Sequence, residues 1–279
     1  MSLKKNQEAI NIALKKKIHI GNFSEKNEKK NYFFVEKLLK KDNKVIFDVY
    51  KQFNQVRKVI FFLNSLLLKK QPIFFFGLSS NGLDTSSLSK MNFINKKIFK
   101  LAFFVPPGKK FIEVNRCLKD FFNLLFDNNG IKGLKMHEQT NLLNSFKKRV
   151  LSFAQNGDLI INGCFLNNWV EGAFSNKHSL EFKLNPLSRG SFESFKVLFS
   201  LDLLKALNKE ITLPGAVIFF SREGYDLFFK EFSKLGIPII CIVDYDQFLD
   251  FVDYPLPGDL NSFETFLFYI NILKQIFNK

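Results

Sequence analysis

Residues 214–243 read PGAVIFFSREGYDLFFKEFSKLGIPIICIV, and this stretch decides the fold class. Residues 216–220 are a short unbroken apolar run. Residues 223–235 carry apolar side chains at helical spacing, and Gly236 stops them. Residues 237–243, IPIICIV, form a second unbroken apolar run. Strands that are apolar throughout, instead of alternating, are covered on both faces, and a helix between two of them makes a right-handed parallel crossover. The spacing therefore predicts a strand, a helix and a second, parallel strand.

The same reading extends upstream. Residues 44–50, KVIFDVY, read as a strand, and residues 52–70 as a helix with Val56, Val59, Ile60, Leu63, Leu67 and Leu68 on its apolar side. Pro72 closes that helix, and IFFF at 73–76 reads as a buried strand, so 44–77 is expected to be another strand–helix–strand unit. Residues 78–89, LSSNGLDTSSLS, read as a loop or linker, followed by a basic apolar segment at 96–105 and the breaker Pro106-Pro107-Gly108. Helical patterns follow near 109–127, 138–155 and 192–208, with a short strand at 158–161. A last helix is expected from near Asp259, as its N-cap, to about Phe277. The sum is an α/β chain with a doubly wound parallel sheet and helices on both faces.

Of 279 residues, 36 are Lys and only 5 Arg, with 37 Phe and 27 Asn against 7 Ala and 14 Gly. Codons rich in A and T encode the abundant group, which points to an AT-rich genome such as an organelle's. The net charge is +15 and it is polarised: residues 51–110 carry +10, whereas residues 191–279 carry −4. Such an excess suits a polyanionic partner, nucleic acid first and an anionic membrane surface second. Codon bias that sets Lys on any exposed face is the plainer alternative. Cys117, Cys164 and Cys241 are odd in number and far apart, so neither a disulfide framework nor a CxxC zinc knuckle is expected. The most apolar stretch, 59–68, is interrupted by Asn64 and Ser65 and falls short of the roughly 20 residues of a membrane span, so no transmembrane helix is expected. Residues 1–17 lack the features of a signal peptide, and a cleaved presequence is not favoured.

Phosphate-cradling and nucleophile-elbow patterns are missing from the sequence: it has no GxxxxGK[ST], GxGxxG or GxSxG. His137-Glu138 lacks the second His of a zinc protease helix, because position 141 is Asn. Asp244, Asp246, Asp250, Asp253 and Asp259 follow the second buried strand, where doubly wound sheets bind ligands. They could serve an enzymatic or small-molecule site around Asp244–Asp259, or form a solvated or protein-facing surface.

The ordered set of segments in the C-terminal part resembles the ribosomal protein S2 family of bacterial and organellar small subunits. The segments are Leu213-Pro214 with AVIFF, the helix ending in Leu235-Gly236-Ile237-Pro238, the strand ending in Asp244, and VDYPLPGD at 252–259. KIHIG at 17–21 resembles the family's GxHxGH element, with Asn22 where a His is usual, and 45–52 and 73–77 resemble its IIDLxKT and LFVG strands. NWVEGAFSN at 168–176 resembles RWLGGxLTN, with Asn168 in place of Arg and Glu171 in place of Gly. Only 37 residues separate Asn176 from Pro214, so the family's helical hairpin is expected to be reduced or lost.

The resemblance implies a flavodoxin- or Rossmann-like core at 18–77 and 138–279, a basic N-terminal extension at 1–17 and a lineage-specific insertion at 78–137. It implies a non-catalytic structural constituent of the small ribosomal subunit, near the head–body junction, with rRNA and neighbouring ribosomal proteins as partners. No cofactor, metal or small-molecule substrate is expected. With the AT bias, a divergent, organelle-encoded mitochondrial member in the matrix is the expected setting. The expected RNA-binding residues are Lys15, Lys16, Lys17, His19, Lys26, Lys29 and Lys30, then Asn168, Trp169, Asn176, Lys177, His178, Lys183 and Arg189. Trp169 either stacks on a base or plugs the core. Within the insertion, Lys96, Lys97, Lys100, Lys109 and Lys110 are the expected contacts.

Overall fold

The computed structural model describes residues 10–11, 13–22, 34–39, 42–69, 71–78, 85–105, 110–126, 136–156, 159–165, 213–247 and 249–277. Its first elements are β1 (Ile20–Asn22), β2 (Val35–Leu39), β3 (Lys44–Phe47), α1 (Val49–Leu68) and β4 (Ile73–Phe76). Next come α2 (Thr85–Leu101), β5 (Phe103–Phe104), α3 (Phe111–Phe126), α4 (Met136–Gln155), β6 (Ile160–Ile161) and β7 (Gly163–Phe165). The C-terminal elements are β8 (Ala216–Phe219), α5 (Asp226–Lys234), β9 (Ile239–Val243), β10 (Tyr254–Pro257) and α6 (Phe263–Phe277). The class is α/β with parallel strands, as expected. The chain divides into two compact units, residues 1–71 with 216–276, and residues 72–215 with 277–279.

In the first unit, β8 and β9 pair in parallel with Val217 opposite Ile239 and Phe219 opposite Cys241. Every residue of both strands is buried, which explains their unbroken apolar sequence. The connecting helix α5 buries Phe228, Phe229 and Phe232, and Phe219 lies 4.5 Å from the Phe229 ring and 6.1 Å from that of Phe232. Gly236 ends α5 at φ 67°, while Gly236 N–H donates to Ser233 O and Ile237 N–H to Phe232 O. This paired closure needs a left-handed residue, which is why glycine stands there. β10 adds in parallel on the other side of β9, with Tyr254 opposite Ile240 and Pro257 opposite Val243. Its two prolines suit a strand at the end of the sheet order.

Helix α1 starts at Asp48, whose carboxylate accepts from Tyr50 N–H at 2.9 Å and Lys51 N–H at 3.2 Å. Its buried residues, Gln52, Val56, Val59, Leu63 and Leu66, recur at helical spacing. The Phe62 ring stacks on Tyr254 of β10 at 4.9 Å, and Phe53 meets Phe268 of α6 edge-on. Gln52 is buried, and its Nε2 donates to Pro257 O at 2.7 Å and Tyr269 Oη at 3.1 Å.

Four expectations change. Residues 44–77 are not a strand–helix–strand unit of one sheet, because β3 lies at the centre of an antiparallel sheet ordered β1-β3-β2. Both edges of β3 are occupied, so no edge is left for a parallel neighbour. The strand β2 was not expected, and Phe34, Val45, Phe47 and Tyr245 form the buried cluster under this sheet. Residues 85–89, read as loop, are the first turns of α2. Asp259 does not cap α6, which begins at Phe263. Asp259 instead closes a turn at 259–262, with its carboxylate accepting from Asn261 N–H.

In the second unit, β4 and β7 pair in parallel, with Phe74 opposite Gly163 and Phe76 opposite Phe165. β5 and β6 pair antiparallel. Buried Asn162 ties the two pairs, since its Oδ1 accepts from Ile73 N–H and its own N–H donates to Ala102 O. On α2, Met91, Ile94, Ile98 and Phe99 are buried, and the Asn95 side chain bonds both the N–H and the C=O of Leu78. The helices α3 and α4 pack together. Among the described residues, no helix is long and apolar enough to cross a membrane. The helical pattern at 192–208, and with it the fate of the family hairpin, lies outside the described residues.

Two glycine substitutions separate conformation from space. Gly236→Ala meets no atom within 4 Å but must hold φ 67°, and is expected to cost about 1–2 kcal/mol. Gly258→Ala would set its Cβ 2.5 Å from Thr265 Cγ2, with an expected loss of about 1–3 kcal/mol. Adding Thr265→Ser should recover part of the second loss and none of the first, as read by urea unfolding.

Candidate nucleic-acid interface and the acidic strand ends

Of the expected RNA-binding residues, Lys15, Lys16, Lys17 and His19 fall together in the first unit. A helical turn runs to Lys15 and is closed by Lys17 N–H donating to Leu14 O and Ile18 N–H to Ala13 O, with Lys17 at φ 55°. This is the same closure that Gly236 makes, with lysine in the left-handed position. Lys15 and Lys17 are exposed, whereas the Lys16 ammonium bonds Glu264 at 2.8 Å. His19 is half-buried, its carbonyl accepts from Phe47 N–H at 2.7 Å, and its Nδ1 is buried. These contacts make His19 part of the β1–β3 junction. Lys15, Lys16 and Lys17 are all exposed, and of the three Lys16 is held by Glu264.

On α2 of the second unit, Lys90 and Lys100 are exposed and Lys96 and Lys97 half-buried. The Lys97 ammonium sits 4.8 Å from the centroid of the half-exposed Phe93 ring. Lys90, Phe93, Lys97 and Lys100 thus share one side of the helix. Lys110 is exposed just before α3. Lys26, Lys29, Lys30, Lys109, Asn168, Trp169, Asn176, Lys177, His178, Lys183 and Arg189 lie outside the described residues, so the two roles of Trp169 are not separated here.

The acidic strand ends are bound up in main-chain bonding. Asp244 is buried, and its Oδ1 accepts from Tyr245 N–H at 2.7 Å and Asn22 N–H at 3.3 Å. Asp259 accepts the Asn22 side-chain amide at 2.8 Å. Asp253 accepts from Ile239 N–H at 2.8 Å. Burial pushes the Asp244 carboxyl up to about 7, with the nearby Asp259 charge adding to the rise and the N–H groups of Tyr245, Leu260 and Asn22 opposing it. Among the described residues, no group of three or more His, Cys, Asp or Glu could hold a metal ion. Burial raises the Cys241 thiol far above its ordinary value, away from nucleophilic use.

Asn22 was read only as a departure from a family motif, yet it bridges both carboxylates. Gly21 beside it has no room for a side chain, since a Cβ would sit 2.6 Å from Asp244 Oδ1. The signal for these roles was faint: a Gly-Asn pair at a strand, with partners more than 220 residues away.

Residues 159–279, which contain β6 to α6, match the family model described as ribosomal protein S2. Over these residues the chain is similar to the ribosomal protein S2 family. The small ribosomal subunit protein uS2 of Borrelia hermsii is 30% identical over 126 residues, covering 39% of this chain and 50% of the relative. That of Mycoplasma capricolum is 27% identical over 140 residues, covering 44% and 47%. That of Buchnera aphidicola is 26% identical over 139 residues, covering 43% and 58%. The chain spans about half the length of the curated relatives it matches. The S2 match includes the β8–α5–β9 crossover and the return through β10 to α6, the segments that carried the resemblance.

The Asp244 carboxyl has a measurable consequence. Folded, it keeps its proton to about pH 7, whereas in the unfolded chain it releases it near 3.8. The native state therefore binds more protons between these values, and stability falls as the pH rises from about 4 to 7. Asp244→Asn keeps an oxygen acceptor and removes the titration. It is expected to flatten that decline, on the order of a few kcal/mol, and to favour the variant more at pH 8 than at pH 4.5 in urea unfolding.

Proposed function

We propose that the chain is a structural, non-catalytic constituent of a mitochondrial small ribosomal subunit, binding rRNA and neighbouring ribosomal proteins near the head–body junction. The observation that carries this reading is the S2 match over residues 159–279, together with relatives that are themselves named small ribosomal subunit protein uS2. The charge distribution supports it. Cations concentrate in residues 1–110, and the last 89 residues are net acidic. The abundance of Lys, Asn and Phe supports an AT-rich organelle gene.

In this reading Lys15, Lys17 and the basic groups at 26–30 and 177–189 hold phosphates and fix the position of the protein without reading bases. Residues 78–137 are a lineage-specific insertion, and the Lys90, Lys97 and Lys100 side of α2 is its RNA contact.

Sedimentation of an organelle lysate through a gradient, with and without ribonuclease, tests the proposal. The chain is expected to travel with the small subunit and to be released by ribonuclease. A chain that stays at the top of both gradients overturns it. Lys15→Glu with Lys17→Glu is expected to lower the co-sedimenting fraction severalfold at low salt and to leave the remaining binding less sensitive to salt than the parent's.

A further inference from the structure

Helix α1 has a second face that the packing of the first unit leaves open. Tyr50, Phe61 and Leu68 are 75%, 83% and 86% exposed. Asn54, Arg57, Lys58, Ser65 and Lys69 are exposed as well. Tyr50, Asn54, Arg57, Phe61 and Leu68 follow one another at three-, four- and seven-residue steps, which sets them in one stripe along the helix. Phe61 and Leu68 stand one heptad apart, about 10 Å along the axis, and the stripe from Tyr50 to Leu68 runs about 27 Å. Residues 49–69 contain Lys51, Arg57, Lys58 and Lys69 and no carboxylate.

We propose that this stripe docks an acidic amphipathic helix of a partner protein, with Phe61 and Leu68 as the apolar anchors and Arg57 and Lys58 pairing with its flanking carboxylates. Two large apolar side chains one heptad apart, with the polar Asn64 and Ser65 between them, give another helix two anchor points. The all-cationic flanks select a negatively charged one. An RNA strand would satisfy the cations and could stack on Tyr50 or Phe61, but it offers nothing to Leu68, whose side chain has no face to stack and stands almost fully in water. Burying two such anchors is where the binding energy of a helix-in-groove contact comes from. The proposal goes beyond the ribosomal reading and does not need it, since docking is a property of the isolated chain.

Fluorescence anisotropy on the purified full chain tests it with three probes. One is a helical peptide of about three heptads with leucine at both seam positions and glutamate on both flanks. The second has the same leucines with lysine flanks, and the third is a single-stranded oligouridine. The glutamate peptide is expected to bind at least tenfold more tightly than the lysine peptide. It should lose at least tenfold in affinity both on Phe61→Asn with Leu68→Asn and on Arg57→Glu with Lys58→Glu. All four positions are exposed, so both variants are expected to unfold within a few degrees of the parent. Should the apolar pair alone disturb folding, the charge pair carries the test. Equal binding of the two peptides overturns the proposal. So does undiminished glutamate-peptide binding by the folded variants, or a loss of oligouridine affinity in place of peptide affinity, which would make the stripe an RNA face.

Discussion

Asp253 holds Ile239 by both of its main-chain groups: the Ile239 N–H donates to the Asp253 carboxylate, and the Ile239 carbonyl accepts from the Asp253 N–H. This clasp joins the start of β9 to the start of β10 and fixes their register before either strand has run its course. Everything further along depends on it. Pro257 comes level with Val243 and presents its own carbonyl to Gln52 of α1 and to Tyr269 of α6. Gly258 comes against Thr265, and Asp259 comes beside Asn22 and Asp244. A shift of one residue in β10 would undo all three, because the side-chain period of a strand is two.

The same region shows how an acidic surface can be structural. Carboxylates at strand ends invite a reading as acids, bases or metal ligands, but each oxygen that accepts a main-chain N–H is one fewer to offer a substrate. Asp244 bears the desolvation of a buried carboxyl and still bonds two N–H groups, so its role is to hold β1 against the end of β9. Lys15 and Lys17, the Lys90 side of α2 and the Phe61 stripe of α1 are exposed basic and apolar surfaces among the described residues.

The parts of the fold that the sequence shows are those whose cause is local. Unbroken apolar runs at 216–220 and 237–243, a helical spacing between them and a glycine stop are all within 30 residues, and each is found where it was read. The parts that were not legible depend on distant partners. Lys44–Phe47 is a strand by composition, but nothing in KVIF says that its neighbours are Ile20–Asn22 and Val35–Leu39, or that they run antiparallel. The first turns of α2 are rich in Ser and Thr, which favour loops in isolation and become helical under the pull of the apolar face formed by Met91, Ile94 and Ile98. For the site, lysine positions could be read from the chain, but Asn22, Gly21 and Gln52 gain their meaning only once α6 and the strand ends are in place.

Gly21, Gly236 and Gly258 are positions that a gene drifting toward A and T would put under pressure. Every glycine codon begins with two guanines, so such a drift would work against each of the 14 glycines in the 279 residues. At Gly21 and Gly258 an added methyl would strike Asp244 and Thr265, and at Gly236 the backbone itself excludes most replacements. Such sites would resist that drift, because a changed chain folds less well. Gly21, Gly236 and Gly258 therefore mark places where the architecture leaves room for no side chain or requires a left-handed backbone.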